Sequence, residues 1–152
     1  MAAVDGLFLE DFTPGRVFNT PGFTVTDAAV IDFAFQYDPQ PFHLDREAAK
    51  NSIFGGLCAS GFQTMALSFR LFSLLGTLKN NLGGPGVDEL RWLKPGLPPA
   101  TRSIAASPSP SNGRRARSRI AASIKWAFET LNQKDEVVMT ATFISFMKRR
   151  EG

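Results

Sequence analysis

The chain has a single histidine, His43, and a single cysteine, Cys58. One cysteine excludes an intrachain disulfide, and one of each excludes a metal centre built from histidine and cysteine ligands. No apolar run is long enough to cross a bilayer. No basic-then-apolar leader opens the chain, so a soluble cytoplasmic protein without membrane attachment is expected. Charged residues are only 20% of the sequence, while 43% is apolar and fourteen residues are Phe. That balance argues against disorder and provides a core of ordinary size. With 152 residues, one domain spanning 1–152 is expected.

Acids are missing from one window. Residues 98 to 124 hold Arg102, Arg114, Arg115, Arg117 and Arg119 and no Asp or Glu. Elsewhere twelve basic residues face fourteen acidic ones, so the formal charge of +3 comes from one local patch. A nucleic-acid partner wants a broad basic surface, and none is expected here.

The periodicities outline the elements. Thr26 is a fair N-cap, and Val30, Phe33 and Ala34 recur at helical spacing. Pro39 disfavours helical geometry at Asp38, which predicts that this helix stops there. Asp38 then sits at the negative end of the helix dipole, an unfavourable place by roughly 0.3–1 kcal/mol. Arg46 to Asn51 reads as a short helix. Ser60 to Leu75 carries the longest helical pattern, apolar nearly all round, which wants burial on most sides. Leu7 to Val25 contains a first strand, and Val87 to Leu93 reads as another. Ile120 to Leu131 and Val137 to Met147 flank the polar Asn132 to Glu136, the pattern of an antiparallel hairpin. Residues 98 to 119 lack aromatics and carry Ser107-Pro108-Ser109-Pro110-Ser111. They read as a loop with one edge strand, Arg115 to Ile120, or as a local frame slip over 98 to 123 in the recorded sequence.

The most informative stretch is Tyr37-Asp38-Pro39-Gln40-Pro41-Phe42-His43-Leu44-Asp45. An imidazole and a carboxylate five residues apart, joined through two prolines, make a candidate proton-transfer pair on a stiff loop. Asp38-x-x-Pro41-x-His43-x-Asp45, followed by Phe54-Gly55-Gly56 and Ser60-Gly61, resembles the MaoC-like dehydratase family, which includes the (R)-specific enoyl-CoA hydratases. Many members have Asn at the place of Gln40 and His-Gly at the place of Ser60-Gly61. The spelling here is similar to the acyl dehydratase branch.

The resemblance implies an α+β hotdog fold, a curved antiparallel sheet wrapped around one long helix. It also implies a homodimer or higher homo-oligomer with sheets joined edge to edge. The reaction it implies is reversible hydration of a trans-2-enoyl thioester, with acyl-CoA as substrate and no cofactor. Asp38 and His43 would hold the water, with His43 as the main base, since an unperturbed imidazole pKa of about 6.5 suits that task. Asp38 would orient the water and could return a proton to C2; the sequence leaves open which residue moves which proton. Addition at C3 builds enolate character on the thioester oxygen, and amides at a helix start can bind it. Gly61, with Gly56, is the expected donor, and Ser60 is a candidate for substrate contact.

Simpler roles stand beside these. A lone histidine among apolar residues is often structural, Asp38 is also a plausible helix stop, and Ser60 and Asp45 both suit N-caps. Cys58 reads as a buried structural thiol. Arg115, Arg117 and Arg119 would share one face of a strand, to bind CoA phosphates or to solvate an edge. The alternative functions are a hotdog acyl-CoA thioesterase and a non-catalytic acyl-CoA-binding subunit.

Overall fold

The computed structural model describes residues 6–95, 101–110 and 121–150. Its elements run β1 (Phe18–Phe23), α1 (Asp27–Tyr37), α2 (Pro41–Leu44), α3 (Arg46–Lys50), α4 (Gly61–Leu74), β2 (Gly86–Trp92), β3 (Thr101–Pro110), β4 (Ala121–Leu131) and β5 (Val137–Lys148). The strands form one antiparallel sheet in the order β1-β3-β4-β5-β2. Among the described residues no helix is long and apolar enough to cross a membrane.

The sheet buries one face because β4, and β5 from Met139 onward, alternate. Ala122, Ile124, Trp126, Phe128 and Thr130 point inward from β4, and Ala141, Phe143, Ser145 and Met147 from β5. Against that face lies α4. Phe72 meets Trp126 and Phe128 edge-on, at centroid distances of 5.0 and 5.1 Å. Full burial of a ring this size stabilises by roughly 1.5–3 kcal/mol. A second apolar cluster of Val25, Val30, Ala49 and Leu57, with Phe42 and Leu67 against it, seats α1 and α3 beside α4. Arg46 pairs with Asp27, which ties α3 to the start of α1.

Three expectations are corrected. The stretch around His43 is not an extended loop but a helical turn, α2, with Pro41 at its first position, where a missing N–H costs nothing. The window read as linker contains β3, an interior strand. Thr101 to Ala105 pair with β1 on one side, while Pro108 and Pro110 lie beyond that pairing and face only β4. A strand tolerates proline where one side is open. Arg115 to Ile120 lie outside the described residues, and with them the whole proposed arginine face of Arg115, Arg117 and Arg119. Finally, α4 is not buried all round. Phe62 and Leu74 are exposed, while Gln63, Thr64 and Ser68 are buried. Thr64 Oγ1 donates to the Ser60 carbonyl, Ser68 Oγ donates to the Thr64 carbonyl and touches Thr130 Oγ1, and Gln63 Nε2 donates to the Ala29 carbonyl, while Gln63 Oε1 has no partner among the described residues.

Candidate active site

Two helix ends meet where the chain brings Asp38 to Ser60. Asp38 is the C-cap of α1, its N–H donating to the Ala34 carbonyl at 2.9 Å. Ser60 is the N-cap of α4, its oxygen accepting from the Phe62 N–H at 3.2 Å. The same hydroxyl donates to Asp38 Oδ2 at 2.6 Å. Gln40 Nε2 donates to the other carboxyl oxygen, Oδ1, at 2.8 Å. Burial pushes the Asp38 carboxyl up. The Ser60 and Gln40 donors, with the charge of His43, outweigh it and hold the group below its ordinary value.

His43 is 5% exposed and rides on α2. Its Nδ1 lies 2.7 Å from the Cys58 carbonyl, an acceptor only, so Nδ1 carries a proton. In the neutral form of the ring, Nε2 is then a free lone pair, and it faces Asp38 Oδ2 at 3.4 Å. Oδ2 has already accepted from Ser60. Two acceptors facing each other at that distance call for a donor between them. A water about 2.8 Å from each would give one hydrogen to each. Phe42 and Phe54 wall the imidazole, with ring centroids 4.6 Å from Phe42 to His43 and 4.9 Å between the two phenyl rings.

Asp38 and His43 open onto a cleft of about 430 Å³, lined also by Cys58, Gly61, Trp92 and Lys94. Gly61 is the first residue of α4, where amides have no intrahelical acceptor. Gly56 and Ser60 are not in the lining; Ser60 is fully buried and reaches the cleft only through Asp38. Asp45 caps α3, accepting from the Glu47 and Ala48 amides, and is not in the lining either. Cys58 lines the cleft with a thiol pushed up to about 11, by burial first and then by the Asp38 charge. Such a thiol is a poor nucleophile at neutral pH.

Sequence reasoning missed Trp92, Lys94 and the Cys58 carbonyl. Lys94 is engaged by Glu136 at 2.5 Å. The one signal for this segment was its place at the end of a strand before Pro95. The carbonyl has no sequence signature.

Residues 11–124 match the family model described as MaoC like domain. The uncharacterized protein YdeM of Bacillus subtilis (strain 168) is 36% identical over 91 residues, which are 59% of this chain and 64% of that protein. The chain therefore spans less than two thirds of this curated relative. The crystal structure of the MaoC-like dehydratase from Rhodospirillum rubrum aligns with a TM-score of 0.83 and 38% identity, over 97% of this chain and all of that one. The (R)-hydratase from A. caviae aligns with a TM-score of 0.72 over 90% of this chain and 97% of that one. At 15% identity it attests the shared fold alone.

Proposed function

Given that the chain belongs to the MaoC-like domain family and has the hotdog fold of its structural relatives, we propose that it adds water reversibly to a trans-2-enoyl-CoA to give the 3-hydroxyacyl thioester. The observation that carries this reading is His43 Nε2 facing Asp38 Oδ2 at 3.4 Å on an apolar cleft. His43 takes a proton from the water held between the two groups. The water oxygen bonds to C3, and the C2–C3 π pair moves toward the carbonyl as the thioester oxygen gains charge. The Gly61 amide stabilises that oxygen. C2 then collects a proton. Asp38, kept ionised by its two donors, holds none to give, so the imidazolium formed in the first step returns it. This assigns the acid role, left open by the sequence, to His43. Asp38 orients the water and stabilises the imidazolium.

The same reading carries a cytoplasmic homodimer or higher homo-oligomer. Among the described residues β2 is an edge of the sheet, and Val87 and Leu93 remain exposed along it.

The test is incubation with crotonyl-CoA, following loss of the conjugated enoyl absorbance against release of thiol. Hydration by the wild type and its loss in His43→Ala are expected. Thiol release without hydration would establish the thioesterase alternative instead. Binding of acyl-CoA with neither reaction would establish the non-catalytic subunit.

A further inference from the structure

The indole of Trp92 lies against Gly61, the first residue of α4. A Cβ built on Gly61 would lie 2.4 Å from Trp92 Cε2, 2.6 Å from Nε1 and 2.8 Å from Cδ2. No real Cβ tolerates such contacts, so the indole occupies the space that the missing side chain leaves. Its nitrogen is thereby a neighbour of the Gly61 backbone. Both residues line the cleft that holds Asp38 and His43.

The indole is held there from two sides. Phe62 packs edge-on against it at 5.6 Å between centroids. The strand end is pinned by the Leu93 and Lys94 amides, which both donate to the Val138 carbonyl, at 2.8 and 3.3 Å. An indole N–H is a donor with no acceptor capacity. It has no acceptor among the described residues, and Trp92 stays 46% exposed. A core tryptophan would bury its ring, as Trp126 does at 1% exposure. Trp92 instead keeps part of its ring exposed and lines the cleft.

We propose that Trp92 is a catalytic residue, its Nε1–H acting beside the Gly61 amide as the second donor to the thioester oxygen. The inference rests on the hydration reading of this cleft and deepens it. A thioester carbonyl is a weak acceptor, and the enolate oxygen a strong one. A donor aimed at that atom therefore strengthens its bond as the reaction proceeds, which lowers the barrier rather than tightening ground-state binding.

Trp92→Phe keeps a ring against Gly61 and Phe62 and removes the N–H. The expected result is a kcat for crotonyl-CoA lower by about 10²-fold with KM little changed. A second measurement needs no turnover. The chain has two tryptophans, so a ¹⁵N-labelled sample gives two indole signals, with Trp126 as a buried internal reference. On titration with butyryl-CoA, which is saturated and cannot add water, the Trp92 indole proton should move downfield while Trp126 stays fixed. A Trp92→Phe variant with wild-type kcat overturns the proposal. So does a Trp92 signal that does not move at saturating butyryl-CoA, whatever the variant does. If the variant fails to fold, shown by a displaced Trp126 signal, the wild-type titration decides alone. A wild type whose indole signal responds but which hydrates nothing supports the contact and overturns the hydration reading. A wild type that hydrates with an unmoved indole loses only Trp92. A protein that neither binds butyryl-CoA nor hydrates crotonyl-CoA loses both.

Discussion

Ser60→Ala separates two tasks that one hydroxyl performs. Ser60 is fully buried, donates to Asp38 Oδ2 at 2.6 Å and accepts from the Phe62 amide at 3.2 Å. A hydrogen bond to an ionised acceptor is worth about 1.5–3 kcal/mol, and loss of an N-cap costs about 0.5–2 kcal/mol. The two share one oxygen and do not simply add, so the variant should lose roughly 2–4 kcal/mol at pH 7. The two parts respond differently to acid. Burial raises the Asp38 carboxyl, but the Ser60 and Gln40 donors and the His43 charge bring its folded pKa below the ordinary 3.8. A carboxyl lowered on folding contributes stability that is fully present above its unfolded pKa and is lost as pH falls through the folded one. The Ser60–Asp38 part therefore fades below pH 3.8, and the cap part does not titrate. Urea unfolding of both proteins, at one protein concentration, from pH 7 down through that window measures the difference directly. Other carboxyls titrate alike in both proteins and drop out. A difference that keeps its size in acid, or one below about 1 kcal/mol at pH 7, would refute the reasoning.

Asp38→Asn preserves shape but removes the charge that, in the proposed hydration, holds the water and the imidazolium. It should lower crotonyl-CoA hydration by about 10²-fold while the fold, followed by circular dichroism, persists. Gly61→Ala puts a methyl 2.4 Å from the Trp92 ring, which must move. A stability loss of about 1–3 kcal/mol is expected, and a crystal structure with the indole in place would contradict it. The Cys58 thiol, raised to about 11, is about one part in a thousand thiolate at pH 8. Iodoacetamide should therefore label the native protein far more slowly than the urea-unfolded one, and equal rates would show that this environment is wrong.

Much of the local structure around the candidate site was legible because its parts are local. Pro39 stops α1, which makes Asp38 its C-cap, and Thr26, Asp45 and Ser60 all cap the helices they precede. The hairpin of β4 and β5 was plain from alternation and its polar turn. What stayed hidden depends on docking. Ser60 and Asp38 are 22 residues apart, and no spacing announces that one hydroxyl serves both a helix cap and a carboxylate. At four residues α2 is shorter than a periodic signal. β3 was masked by Pro108 and Pro110, whose tolerance depends on β1 ending its pairing at Ala105. Trp92 carried the look of a core aromatic in a strand. Only the missing Gly61 side chain explains why it lies on a helix start.

The placement of Asp38 also resolves a cost that its sequence position implies. A carboxylate at the C-terminal end of α1 is opposed by that helix dipole, by about 0.3–1 kcal/mol. Its bond to Ser60 brings it to the N-terminal end of α4, where the dipole is of opposite sense and of similar worth. The two fields offset each other, and the donors of Ser60 and Gln40 decide for the ionised form. In the proposed hydration, the start of α4 already serves one anion when a second builds on the thioester oxygen. Two negative charges at one helix end repel, and the field that favours Asp38 is shared by the enolate. The imidazolium formed on His43 relieves part of that repulsion. The rest calls for a donor that does not belong to α4, and the indole of Trp92, from the end of β2, is the one that borders Gly61.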